Sequence, residues 1–132
     1  MSTLKVRKID FQFPDDIALQ WCPHNPGWGN CVNYASVIGP AFEKYFIRAF
    51  RQAMPLIKNP AIKADADLFC QQEAQHSRHH LEHMRMLTRK YPGLEQTRQA
   101  VMASYDQLLA SHDLKFHLAY TACIELMFGP IA

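Results

Sequence analysis

The sequence predicts an all-α protein, and three observations support that prediction. Residues 60–90 carry a face of side chains at alternating steps of four and three, which is the spacing of a helix packed against other helices. Residues 33–54 and 114–128 are also helical in pattern. The composition is that of a soluble globular protein, with 48% apolar and 20% charged residues among 132. We therefore predict a single helical domain over residues 1–132.

Residues 1–32 are predicted to form an irregular arm that wraps the helices of residues 33–132. Phe11 and Phe13 alternate with polar residues, and Pro23, Pro26 and Gly27 interrupt any regular element. The N-terminus lacks the apolar run of a signal peptide, and no stretch approaches the ~20 apolar residues that span a bilayer. A cytoplasmic location is the expectation.

The charge pattern argues against two classes of partner. The formal net charge is +2, and the lysines and arginines are scattered along the chain. Nucleic acids and anionic membranes require clustered positive charge, so neither is expected as a partner. A Gly-rich phosphate loop and a Gly-x-Ser-x-Gly elbow are both lacking in the sequence, which disfavours phosphate transfer and serine hydrolysis.

The first helix is predicted from Asn33 to about Met54, with Pro40 either in its first turn or at a kink. At ~100° per residue, Glu43 projects within about 60° of three apolar side chains, Phe46, Ile47 and Phe50. Its carboxylate either points inward with them or reaches outward to a basic neighbour, Lys44 or Arg48.

The second helix, residues 60–90, is the centre of the predicted fold. Asn59 can cap it, Pro60 suits its first position, and a Tyr-Pro-Gly break follows Lys90. One face is apolar at its ends and polar in its middle: Ile62, Ala66, Phe69, Glu73, His76, His80, His83 and Leu87. Burying a polar group without a partner costs on the order of a few kcal/mol, so the central side chains need a compensating group.

Glu73 and His76 form a Glu-x-x-His pair, which puts a carboxylate and an imidazole within reach of one metal ion. His80 adds a candidate ligand one turn further on. The alternative is a solvated, histidine-rich surface stripe, but the position on the packed face favours a metal site. His79 is turned about 60° from that face and is expected at the rim or in solvent.

Two shorter helices are predicted after residue 93. The third, residues 94–110, carries an apolar stripe and no evident chemistry. The fourth, residues 114–128, can be capped by Ser111 or Asp113. Glu125 shares a face of this helix with small and apolar residues, namely Leu118, Thr121, Ala122 and Phe128. It is therefore a second isolated carboxylate directed at a core.

With these residues placed, the chain resembles the predicted metal-dependent hydrolase family, a bacterial group of ferritin-like appearance. The similarity begins at Trp21 and reaches Glu125, and its most specific part is the run Gln-Glu-Ala-x-His-Ser-x-x-His at positions 72–80. The chain differs where the family tends to have Phe before Pro40 and a His after the last glutamate, since it has Gly39 and Leu126 there. It also looks short at its C-terminus.

The resemblance implies a ferritin-like helical bundle, incomplete at the C-terminus, that holds a divalent metal, taken as a pair of Fe, Mn or Zn ions. Ferritin-like sites take a Glu from each of two helices and a Glu-x-x-His from each of two others. The implied ligands here are Glu43, Glu73, His76, His80 and Glu125. The second Glu-x-x-His is missing, so His80 either replaces a ligand or supports one.

Several functions stay open at this point. The first is a metal-dependent hydrolase acting on an unidentified small molecule, and the second is a di-iron enzyme of the oxygenase type. The others are a truncated, non-catalytic helical module and a plain helical bundle with incidental histidines. Metal content and the dependence of turnover on oxygen distinguish them.

We also expect a homodimer or larger assembly. A short chain should leave apolar faces partly bare around four side chains, Phe46, Phe50, Leu118 and Phe128. Exposed apolar patches drive association, and a second copy could lend His80 or His83 to the metals.

Overall fold

The computed structural model describes residues 4–128, and all regular structure within that range is helical. The α-helices are α1 (Pro26–Ala53), α2 (Pro60–Lys90), α3 (Gly93–Ser111) and α4 (Leu114–Phe128), and a 3-10 turn, Met54–Leu56, follows α1. The all-α prediction is confirmed. Within residues 4–128, no helix is both long and apolar enough to cross a membrane.

Helix α1 begins at Pro26, not at Asn33. The Asn25 side chain caps it by accepting a hydrogen bond from the Trp28 amide at 3.0 Å, and Pro26 occupies the first turn, where its missing N–H costs nothing. The prediction of an irregular arm is therefore wrong for residues 26–32. Pro40 lies inside the longer helix, which continues through it.

Helices α1 and α2 pack antiparallel and contribute most of the core. Ser36 meets His83 toward one end of the pair, and Phe50 packs on Phe69 toward the other, with 4.7 Å between ring centroids. The two helices bury mostly apolar side chains between them, including Val37, Ala41, Phe46, Ala49, Cys70, Met84 and Leu87. Because the interface is continuous, polar groups within it are withdrawn from water.

The N-terminal arm lies along α2. Phe13 stacks on His83 with ring centroids 5.0 Å apart, and Phe11 meets His79 edge-on at 4.9 Å. Alternate arm residues face the helix, as an extended chain with a period of two requires. The arm therefore covers the histidine-rich side of α2.

Helix α4 is held against α1 by a buried polar contact. The Tyr45 hydroxyl lies 2.8 Å from Nδ1 of His117, and both residues are 2% exposed. Tyr120 packs edge-on against the Tyr45 ring one turn further along α4. This contact fixes the position of α4, and Glu125 follows on the same helix.

The expected bare apolar faces are largely absent from residues 4–128. Phe46 is fully buried, and Phe50 and Leu118 are half-buried. The expectation was wrong for Phe46 because α1 packs closely on α2 and α3. Phe128 is exposed, as expected, together with Leu126 and Met127 at the end of α4.

Candidate metal centre

Glu43 of α1 and Glu73 and His76 of α2 meet at one point. Each offers a ligand atom that lies within 4.8 Å of those of the other two. Both carboxylates are buried, with 2% of Glu43 and 5% of Glu73 exposed. Of the two orientations left open for Glu43, the inward one is observed. Two facing carboxylates and an imidazole form an oxygen and nitrogen donor set that suits a divalent cation.

The carboxylate of Glu43 is only partly compensated. Its Oε2 atom is buried and has no hydrogen-bond partner in the described part of the chain. Burial, assisted by the charges of Glu73 and Glu125 and opposed by a hydrogen bond from Ser77, raises the pKa of Glu43 to about 8. A buried carboxylate oxygen without a donor is stabilised by a proton or by a cation. The residues present therefore fit a metal ion.

His80 lies next to this cluster. Its Nε2 atom is 3.6 Å from Oε1 of Glu43, and its Nδ1 atom is 3.1 Å from the Ser36 hydroxyl. Burial, together with three nearby histidines of α2, lowers the pKa of His80 to about 4. The ring is consequently neutral at pH 7 and keeps a lone pair on one nitrogen.

If the Ser36 hydroxyl donates to a backbone carbonyl, its other hydrogen bonds place that lone pair on Nε2. The Ser36 hydroxyl lies 3.3 Å from the Val32 carbonyl, to which it can donate, and 2.7 Å from Nδ1 of His83. A hydroxyl has one proton and two lone pairs, so it can accept from both imidazoles once it donates to the carbonyl. Both rings then carry their proton on Nδ1. The Nε2 lone pair of His80 faces Glu43, as a ligand nitrogen should.

His76 is held from its outer side. The Arg7 amide donates to Oε1 of Gln72 at 2.9 Å, which identifies Nε2 of Gln72 as a donor to Nε2 of His76 at 2.8 Å. Nδ1 of His76 faces Glu73 Oε1 at 3.6 Å. Hydrogen bonding to Glu73 raises the pKa of His76, while burial opposes the rise. In this arrangement Nε2 of His76 accepts from Gln72 and Nδ1 carries the proton that faces Glu73, so a metal ion at Nδ1 would require the other tautomer, with Gln72 turned to accept.

Glu125 faces the same cluster from α4. It is half-buried; burial raises its pKa, the charge of Glu73 adds to the rise, and His76 opposes it. These interactions put its carboxylate near Glu73 and His76. Glu125 and His80 are nevertheless not among the three residues whose ligand atoms meet within 4.8 Å.

The two outer histidines differ from their expected exposure. His76 was placed on the packed face, yet 49% of its side chain is exposed, whereas only 12% of the His79 side chain is exposed. Helical periodicity alone predicted the reverse, because it takes no account of the arm. Phe11 covers His79, so the prediction that His79 lies at the rim or in solvent is wrong.

The chain matches the model of a protein family over residues 5–132, and that family is described as predicted metal-dependent hydrolase. The chain belongs to this family. It matches no curated protein and no solved structure. The description of the predicted metal-dependent hydrolase family agrees with a cluster of two buried carboxylates and one imidazole that could hold a metal ion.

Periodicity could not identify two contributors to this family member's candidate site. Ser36 and Gln72 hold imidazoles at short range, and neither residue type signals a metal site by itself. The available signal was their position: Gln72 stands one helical turn before His76, and Ser36 lies two turns before Glu43.

A glycine makes room for His80. A Cβ atom at Gly39 would lie 2.8 Å from Cδ2 of the His80 ring, which Ser36 holds in place. We expect Gly39→Ala to lower the unfolding free energy by about 1–3 kcal/mol, because the ring must leave its hydrogen bond. The helical control Gly93→Ala meets no atom within 4 Å and should be neutral or stabilising by up to ~1 kcal/mol. Urea unfolding of both variants measures the difference, and equal stabilities would contradict it.

Proposed function

We propose that this chain is a metal-dependent hydrolase in which Glu43, Glu73 and His76 hold a divalent metal ion and His80 completes or supports the set. The observation that carries the proposal is the buried Oε2 of Glu43, which has no hydrogen-bond donor within residues 4–128 and lies beside a second buried carboxylate. A bound cation would supply the missing partner.

A second ion is part of the proposal. Glu125 would bring a third carboxylate to the cluster from α4, and its interactions with Glu73 and His76 support that role. Three carboxylates and two imidazoles exceed what one small divalent ion needs. A ferritin-like pair of metals, each sharing carboxylates with the other, accounts for this number of donors.

The chain's own side chains have separate tasks in hydrolysis. When bound, a divalent metal lowers the pKa of a coordinated water toward neutrality and polarises the scissile group. Glu43 and Glu73 supply the negative charge that keeps the ion in place. If it is not itself a ligand, His80 can accept a proton on its unprotonated nitrogen, because the ring is neutral at pH 7. A hydrogen bond from Nδ1 to Ser36 would leave Nε2 as that nitrogen.

A di-iron enzyme that uses oxygen is the second candidate. The carboxylate-rich donor set favours it, because oxygen and imidazole ligands suit iron and manganese as well as zinc. Turnover supported by zinc without oxygen favours the hydrolase, whereas turnover that requires both iron and oxygen favours the oxygenase. A protein that binds metal but turns over neither type of substrate is the non-catalytic module.

Metal content is the direct test of the site. Purified protein loaded with Zn(II) or Mn(II) and then dialysed should retain one to two ions per chain by elemental analysis. Loss of residues that merely support metal ligands costs about 10–100-fold in affinity, so Glu73→Gln should cost at least 100-fold. The control is Glu82→Gln on the same helix, where the carboxylate is 38% exposed and pairs with Arg78 and His79.

Two results would contradict the proposal. One is retention of metal by Glu73→Gln at the wild-type level, and the other is equal loss in Glu82→Gln.

Association is proposed separately: the exposed apolar end of α4 favours a homodimer, which sedimentation of the wild type and of Leu126→Glu would test.

A further inference from the structure

A cavity that is wide open to solvent lies between α1, α2 and α3, on the flank of the candidate metal centre. Its volume is about 590 Å³, within the range of small-molecule sites. None of the five candidate ligands lines it. Ser77 does line it, and its hydroxyl group acts on the Glu43 carboxylate. Ser77 therefore connects the cavity with the cluster.

The wall of the cavity combines apolar and cationic side chains. Ile47, Leu81 and Met102 give it apolar surface. Four basic residues also line it, and none of the lining residues is acidic: Lys44, Arg48, Arg78 and Arg98. These residues are distant in sequence, so the concentration of positive charge arises only in the fold.

The carboxylates outside the cavity do not fully balance these cations. Asp106 is shared by two of them, at 2.6 Å from Arg48 and 3.6 Å from Lys44, which leaves one positive charge in excess. The closest approach of Arg78 to Glu82 is 3.9 Å. Exposed ion pairs contribute only about 0–1 kcal/mol, so an entering anion can displace them.

Arg98 differs from the other three cations. Two hydrogen bonds to Glu95, at 2.6 and 2.9 Å, fix its guanidinium group, and only 25% of its side chain is exposed. A fixed guanidinium group loses little conformational entropy when it binds an anion. The Arg98 guanidinium group is therefore a rigid part of the cavity wall on the α3 side.

We infer that this cavity binds the substrate and that the substrate is a small organic anion, with a carboxylate or phosphate group at the basic rim and an apolar body against Ile47, Leu81 and Met102. The inference rests on the proposed function, because it places the substrate's reacting bond at Ser77, the lining residue that contacts the Glu43 carboxylate. Charge complementarity selects the anion, and the apolar wall selects its body.

Ligand binding tests the inference without requiring turnover. The probes are benzoate, phenyl phosphate and the neutral control benzyl alcohol, titrated by calorimetry into zinc-loaded and metal-free protein. At least one anion should bind at least tenfold more tightly than benzyl alcohol in both forms of the protein. Comparison of the two anions identifies carboxylate or phosphate as the preferred group.

Two matched variants locate the binding site. Arg48→Gln removes a cation that lines the cavity, whereas Arg51→Gln removes one from the same helix that pairs with Asp67 outside it. Arg48→Gln should weaken anion binding by about tenfold, corresponding to ~1.4 kcal/mol, and Arg51→Gln should change it less than twofold. Zinc content should be the same in both.

Equal affinity for anions and benzyl alcohol, lack of binding by all three probes, or equal losses in the two arginine variants would overturn the inference. Failure of the proposed function looks different. In that case the protein does not retain zinc in the separate metal analysis, while anions still bind to the metal-free form and remain sensitive to Arg48→Gln.

Discussion

His76→Ala should abolish metal retention, whereas His79→Ala should leave it near the wild-type level. His76 offers a ligand atom to the cluster with Glu43 and Glu73, and His79 does not. Loss of a direct ligand should lower affinity by at least 100-fold, which exceeds the 10–100-fold effect of a supporting residue. Without metal, however, His76→Ala should be the more stable of the two variants.

This difference in stability follows from the exposure of the two histidine side chains. His76 is half-exposed, so its removal costs little packing, while His79 is covered by the Phe11 ring. An aromatic pair contributes about 0.5–1.5 kcal/mol beyond its buried area, and His79→Ala should cost roughly that amount. Elemental analysis and urea unfolding of the EDTA-treated proteins measure the two effects. Equal metal loss in the two variants would remove the case for His76 as a ligand.

Local sequence signals were sufficient for helix α2. Asn59 caps it and Pro60 starts it, as predicted, because both signals act through hydrogen bonds of the first turn. The same signals stand at Asn25 and Pro26, but the glycines that follow indicated a break. The helix forms there nevertheless, because Gly29 is buried against Cys22 and the packed helix outweighs the low propensity of glycine.

The candidate site, too, was predictable only in part. Helical spacing brought Glu73 and His76 together, and the resemblance added Glu43, which the structure places within ligand distance of both. The burial of His79 under Phe11 and the hydrogen bond from Arg7 to Gln72 depend on the path of the N-terminal arm. An irregular segment has no periodicity, so its path cannot be read from its own residues.

The cavity was not predictable from the sequence. Its basic residues come from three helices and look scattered along the chain. Only the packing of α3 across α1 and α2 brings Arg98 near Lys44 and Arg48. The low net charge, which argued against nucleic acid, gives no indication of this local excess.

The metal-free protein should lose stability as the pH rises from 6.5 to 8. The pKa of Glu43 is about 8 in the folded state and about 4.5 in the unfolded chain, so between these values the folded state binds a proton that the unfolded state has lost. Raising the pH then favours unfolding. The pKa of His76 is also raised from its ordinary value of 6.5, so His76 acts in the same direction over this interval.

Two other histidines oppose this trend in the lower part of the interval. The pKa values of His80 and His83 fall below their unfolded value of 6.5, so raising the pH through 6.5 stabilises the protein through them, and this effect fades by about pH 7.5. They therefore offset part of the loss between pH 6.5 and about 7.5, mostly in the lower half of that range. Since one pKa unit corresponds to ~1.4 kcal/mol, the expected loss of unfolding free energy is on the order of 2 kcal/mol.

Glu43→Gln should remove most of this loss and also most of the metal binding. At pH 8 the metal-free variant should be more stable than the wild type, because glutamine cannot ionise, while added Zn(II) should stabilise only the wild type. Urea unfolding at pH 6.5 and 8, with EDTA or Zn(II), measures both effects. If the wild type and Glu43→Gln share the same pH slope and the same response to zinc, Glu43 is neither the ionising group nor a metal ligand.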